Sequence, residues 1–150
     1  MGVKVLSIDG GGVLGLIPAE VLAGLERAAG RPVASMFDLV VGTSVGGLLA
    51  LLAACPHEAQ GGPRHAAAEL SEFFLRNAPR MFERRTLRRA RCPALALGAL
   101  YRAEAMETVL REVLGETPMR AALTRVAVTA FDMLGPRLVS LRSEGSGPLD

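Results

Sequence analysis

Apolar and polar positions along this chain change period several times, and each change marks the edge of a predicted element. Val3, Val5, Leu6 and Ile8 form a short β-rich run that stops at Asp9 and three successive glycines, the pattern of a buried strand feeding a tight turn. Beyond that turn, Pro18 suits the first turn of a helix whose apolar face is Val21, Leu22 and Leu25, and Gly30 followed by Pro32 ends it. A second apolar run, Phe37 to Val41, halts at Gly42, and Leu48 to Ala54 reads as a helix closed by Pro56. Strand, helix, strand, helix in that order predicts parallel strands joined by right-handed crossovers.

After the Gly61-Gly62-Pro63 loop, Ala66 to Asn77 predicts a helix anchored by Phe73 and Phe74 that ends before Pro79. A further helix spans Ala103 to Leu114 and stops at Gly115. Val126, Val128 and Ala130 alternate as strand residues do, Leu138 to Leu141 is a weaker strand candidate, and Ser143 to Asp150 reads as a loop. The uncharged stretch from Leu39 to Cys55 is marginal in length for a membrane span and contains Gly42, Thr43, Ser44, Gly46 and Gly47, so a buried strand, turn and helix explain it better.

Composition agrees with this outline. Half of the 150 residues are apolar and only 4% are aromatic, which favours a tightly packed α/β domain spanning 1–150 over an all-β or disordered chain. A net charge of +2 and the lack of finger or RNP motifs argue against a nucleic-acid partner. Cys55 and Cys92 make no C-x-x-C pair and suit a reducing compartment. Asp9 and the glycine run interrupt the N-terminus too early for a secretory signal, and Leu6 stands where a myristoylation pattern needs Ser or Thr, so a cytoplasmic protein is expected.

The chemistry gathers in two glycine-rich turns. Gly42-Thr43-Ser44-Val45-Gly46 fits G-x-S-x-G between a predicted strand and a predicted helix, where a serine hydroxyl projects from a strained turn and flanking glycines remove Cβ collisions. The plainer alternative is a serine that merely caps the helix. Asp9-Gly10-Gly11-Gly12-Val13-Leu14-Gly15 also follows a strand and precedes a helix, which sets it on the same sheet edge. Gly10, Gly11 and Gly12 are then natural backbone donors to an oxyanion, with Gly15 completing the loop. Read as G-x-G-x-x-G, the same glycines could bind a dinucleotide, but Asp38 opens the second strand instead of closing it; a P-loop fails because no Lys follows Gly46 or Gly47. His57 and His65 lie beyond the second helix, far from the mouth of the elbow, so an acid is the expected base, with Asp9, Asp38, Asp132 and Asp150 as candidates. A transacylase would need a well-placed histidine that is missing here.

Together, the Asp9 to Gly15 loop, the Phe37-Asp38-Leu39-Val40-Val41 strand and the Gly42 to Gly47 elbow resemble the patatin-like phospholipase family, and Val126 to Asp132 resembles its next core strand. The resemblance implies a three-layer α/β/α sandwich with a mainly parallel central sheet. It further implies hydrolysis of lipid acyl esters by a Ser-Asp dyad, with neither metal nor other cofactor, with Ser44 as nucleophile and Gly10 to Gly12 as oxyanion donors. The family's catalytic aspartate sits in a later Asp-Gly-Gly or Asp-Gly-Ala motif, which this sequence lacks after Ser44; a C-terminally truncated domain with weak or no activity is therefore expected. Leu14 stands where the family usually has Arg or Lys.

A rival reading is a non-catalytic, lipid-binding remnant of the same fold. Between Arg76 and Arg91 seven arginines face one glutamate, and Arg76, Arg80, Arg84 and Arg88 recur at helical spacing among Phe73, Phe74, Met81, Phe82 and Leu87. Such a stripe suits peripheral contact with an anionic membrane surface, or it is simply a solvated helix face.

Overall fold

The computed structural model describes residues 2–59, 61–81, 103–132 and 134–144. Among these residues, four strands form one sheet in the order β1 (Val5–Ile8), β2 (Leu39–Thr43), β3 (Arg125–Asp132), β4 (Arg137–Arg142). The first three run parallel, with Val5 opposite Leu39 and Val40 opposite Val126, and β4 returns antiparallel from β3. The mainly parallel α/β arrangement expected from the sequence is therefore present, including the strand at Leu138 to Leu141.

Among the described residues, four helices accompany the sheet: α1 (Leu16–Ala29), α2 (Val45–Ala54), α3 (Ala67–Met81) and α4 (Ala103–Leu114). α1 ends as its sequence predicts, with Gly30 in the left-handed region at φ 64°. α2 begins at Val45, three residues before the apolar run that announced it. Its residues are buried almost throughout, because one side packs on the sheet and the others are covered by neighbouring elements. α3 runs through Pro79 to Met81 instead of stopping before the proline. A proline in the last turn removes one hydrogen bond. That loss is offset by burial of Met81 and by a two-pronged Arg80–Glu112 contact to α4, both pairs at 3.0 Å.

Side chains alternate across the sheet, and this alternation decides which face the helices cover. Val40 and Val126 are buried with Ile8 in the core beneath α2. Leu39, Val41, Ala127 and Thr129 point the other way and line an open groove of about 650 Å³ with Ser140 and Arg142 of β4. The strand order explains the asymmetry. Two right-handed crossovers that step in the same direction, β1 to β2 to β3, lay their helices on one face of the sheet.

Candidate functional site

The carboxyl ends of β1, β2 and β3 lie along one edge, so the turns after Ile8 and Thr43 are neighbours. Their approach is close. A Cβ added to Gly10 would stand 2.9 Å from the Thr43 carbonyl oxygen and 3.0 Å from Ser44 Cβ, and one added to Gly46 would stand 2.1 Å from the Ile8 carbonyl oxygen. Gly42 is equally constrained, with the Gly46 carbonyl oxygen 2.2 Å from its hypothetical Cβ. Gly15 abuts Val45 and the ring of Phe74. Gly10 and Gly46 are needed because backbone meets backbone where the glycine loop crosses the elbow, Gly42 because the elbow folds back on itself, and Gly15 because the Val45 and Phe74 side chains press on it.

Ser44 occupies φ 54°, ψ −123°, and among the described residues it is the only non-glycine with positive φ. Held there, it is exposed at the N-terminus of α2 and its hydroxyl makes no capping hydrogen bond. That geometry removes the plainer alternative of a helix-capping serine, since a cap would have turned its oxygen back onto the first α2 amides. The α2 N-terminus also directs the positive end of the helix dipole toward the same place.

Gly10 is exposed beside Ser44, Gly11 after it is also exposed, and Gly12, at φ +57°, turns the chain into a short 3-10 segment, Gly12–Gly15. Within this loop the Leu14 amide donates to the Gly11 carbonyl at 3.1 Å, which turns the chain tightly after the triple glycine. Thr43 adds a feature that sequence reasoning missed. Its hydroxyl and that of Thr129 lie 2.9 Å apart and tie the ends of β2 and β3 together next to the elbow. Only the register Thr43 opposite Thr129 could have revealed it.

The acidic candidates separate clearly. Asp38 accepts the Lys4 amide at 2.7 Å, while its own amide donates to the Lys4 carbonyl at 2.8 Å, so it fastens β1 to β2 at the end of the strands away from Ser44. A ribose-binding role for Asp38 is excluded by the same placement. Asp132 accepts the amides of Leu134 and Gly135 at 3.0 and 3.3 Å and lies 3.6 Å from the Arg137 guanidinium, which makes it the organiser of the β3–β4 turn. Asp9 is exposed at the start of the glycine loop. Asp150 lies outside the described residues.

Both histidines are bound near the far end of α2. His65 Nε2 is 3.1 Å from the Val113 carbonyl oxygen, and His57 Nδ1 accepts the Ala59 amide at 3.2 Å. Along α2 that end is about 15 Å from the elbow, at 1.5 Å rise per residue. Of the arginine stripe, Arg76 pairs with Glu72 and Arg80 with Glu112. The remainder, from Arg84 to Arg91, lies outside the described residues, as does Cys92.

Comparison with known proteins matches the sequence that builds this site to a family. A family model described as "Patatin-like phospholipase" matches residues 6–145. The chain is 36% identical to Patatin-like protein 1 of Oryza sativa subsp. indica over 155 residues, covering 98% of this chain and 37% of that relative. It is 38% identical to Patatin-like protein 2 of the same rice over 140 residues, and 38% identical to Patatin-2-Kuras 4 of Solanum tuberosum over 138 residues. Each of those two matches covers 87% of this chain and 34% of the relative, so the chain spans about a third of the length of the curated relatives it matches. With the glycine loop and the elbow both inside the matched region, the chain belongs to the patatin-like phospholipase family.

Proposed function

We propose that this chain carries the nucleophile and the oxyanion-binding half of a lipid acyl hydrolase. The observation that carries the reading is the backbone of Ser44, an exposed serine held at positive φ within van der Waals reach of Gly10. Backbone strain of this kind costs about 1–3 kcal/mol and persists where function requires it. In the reaction, Ser44 Oγ attacks the ester carbonyl carbon as its proton passes to an aspartate, and the carbonyl oxygen, now an oxyanion, accepts hydrogen bonds from the Gly10 to Gly12 amides. Collapse of that intermediate breaks the bond to the alcohol, which leaves with the proton. Water then attacks the acyl-enzyme by the same route and frees the fatty acid.

Asp38 and Asp132 are held by backbone amides, and this favours a different aspartate as the base of the dyad. A serine hydroxyl without a positioned base is a poor nucleophile at neutral pH, so slow reaction is expected of these 150 residues alone. A fluorophosphonate probe tests the proposal. Slow labelling that disappears in Ser44→Ala is the expected result, and labelling equal in the two proteins overturns it. In the lipid-binding alternative, Arg76 and Arg80 of the stripe are each paired with an exposed glutamate, Glu72 and Glu112, and vesicle sedimentation that is independent of anionic lipid would remove its support.

A further inference from the structure

The loop that follows the three glycines is lined by apolar side chains that face water. Val13, Leu14 and Ile17 are 62%, 62% and 63% exposed, within a turn of one another and next to a loop that touches Ser44. Single exposed apolar residues need no explanation, but a contiguous group beside a cleft does. Here the group continues into a groove of about 330 Å³ between this loop and α3, floored by Phe74 and walled by Leu16, Leu75 and Pro79. Phe74 is itself the ring that Gly15 abuts, and Gly15 in turn abuts Val45, so one glycine separates the floor of the groove from the elbow.

Charge is as informative as apolarity. The Gly12–Gly15 segment carries neither acid nor base, and the first turn of α1 carries no acid. Among the described residues, the charged neighbours that flank the lip along the chain are both exposed carboxylates, Asp9 at the start of the glycine loop and Glu20 three positions after Ile17. An anionic group entering past this lip would exchange its hydration for apolar contact and meet a like charge, whereas an uncharged one would gain the apolar area.

We propose that Val13, Leu14 and Ile17 form an uncharged lip that determines specificity, admitting acyl esters whose alcohol portion carries no net charge in preference to those with an anionic head group. This assignment rests on the hydrolase reading for its meaning in catalysis, but the preference of the lip is a binding property and can be measured without turnover.

The chain contains no tryptophan, so Ile17→Trp places a single reporter on the lip itself. In a Ser44→Ala background, its fluorescence is titrated with micelles of an uncharged maltoside and of an anionic lysophosphatidylglycerol of matched chain length, with Leu14 intact and with Leu14→Arg. Leu14 intact should give a blue shift at a several-fold lower concentration of the uncharged amphiphile. Leu14→Arg should lower the midpoint for the anionic one about fivefold, the equivalent of the ~1 kcal/mol that one basic residue contributes near an anionic surface. An anionic midpoint equal to or below the uncharged one with Leu14 intact, or a ratio unmoved by Leu14→Arg, overturns the proposal. Since Ser44 is absent from this experiment, failure of phosphonate labelling would count against the hydrolase reading alone.

Discussion

Replacing Ser44 by glycine should make the protein more stable than replacing it by alanine, the reverse of the usual order. At φ 54°, ψ −123° any side chain with a Cβ strains the backbone, and alanine keeps that Cβ while glycine removes it. Relief of about 1–3 kcal/mol of strain is opposed by the 0.5–1 kcal/mol that glycine typically loses to unfolded-state freedom, leaving about 1 kcal/mol in favour of glycine. The hydroxyl does not disturb the comparison, because it caps nothing and is missing from both variants. For a chain of this length, that difference is a shift of about 2–4 °C in Tm. Urea and thermal unfolding followed by far-UV circular dichroism would measure it, coincident midpoints serving as the check on two-state behaviour. Should alanine prove equal to or more stable than glycine, Ser44 is unstrained in solution and the argument from its backbone fails.

Other substitutions probe the contacts that hold the site together. Gly46→Ala should cost about 3 kcal/mol, the upper part of the overpacking range, because its Cβ would press on the Ile8 and Asp9 backbone; an unchanged urea midpoint would mean that the loop and elbow are not in contact. Glu26 accepts the Val33 amide at 2.9 Å and the Ala67 amide at 2.8 Å, so Glu26→Ala should lose about 3 kcal/mol and Glu26→Gln, with one acceptor oxygen, distinctly less; equal losses would contradict the bridging role. Hydrogen bonding to Arg80 holds the Glu112 carboxyl below its usual range, and the Arg80 guanidinium is raised chiefly by the same bond. A depressed acid stabilises the fold above the ordinary glutamate range and loses that contribution as pH falls through its folded value. The gap between wild type and Glu112→Gln in urea midpoint should therefore be small at neutral pH and close on acidification; a gap that widens in acid would contradict the pairing.

The elbow and the glycine loop were legible in the sequence because some of their glycines, Gly42 and Gly12 among them, answer local demands that leave a recognisable pattern. A strand must turn sharply into a helix at Gly42 to Gly46, and the chain must turn left-handed at Gly12. The element boundaries at Gly30 and Gly115 were legible for the same reason. Less visible were features set by partners distant in the chain. α3 continues past Pro79 to bury Met81 and to set Arg80 against Glu112 of α4, 32 positions away, and periodicity carries no trace of those contacts. Asp38 fits the spacing of a ribose ligand, yet its partner is the Lys4 amide across the sheet. That the described helices leave the face at Val41 and Thr129 uncovered depends on strand order, which follows from topology instead of from any one segment.

The most direct examination of the central claim is a crystal structure of the chain with a phosphonate covalently attached to Ser44 Oγ, where the phosphonyl oxygen stands in for the carbonyl oxygen of the tetrahedral intermediate. The account predicts that oxygen within about 2.7–3.1 Å of at least one backbone amide of Gly10, Gly11 or Gly12. An adduct whose oxygen turns to solvent, or to donors elsewhere, would contradict it.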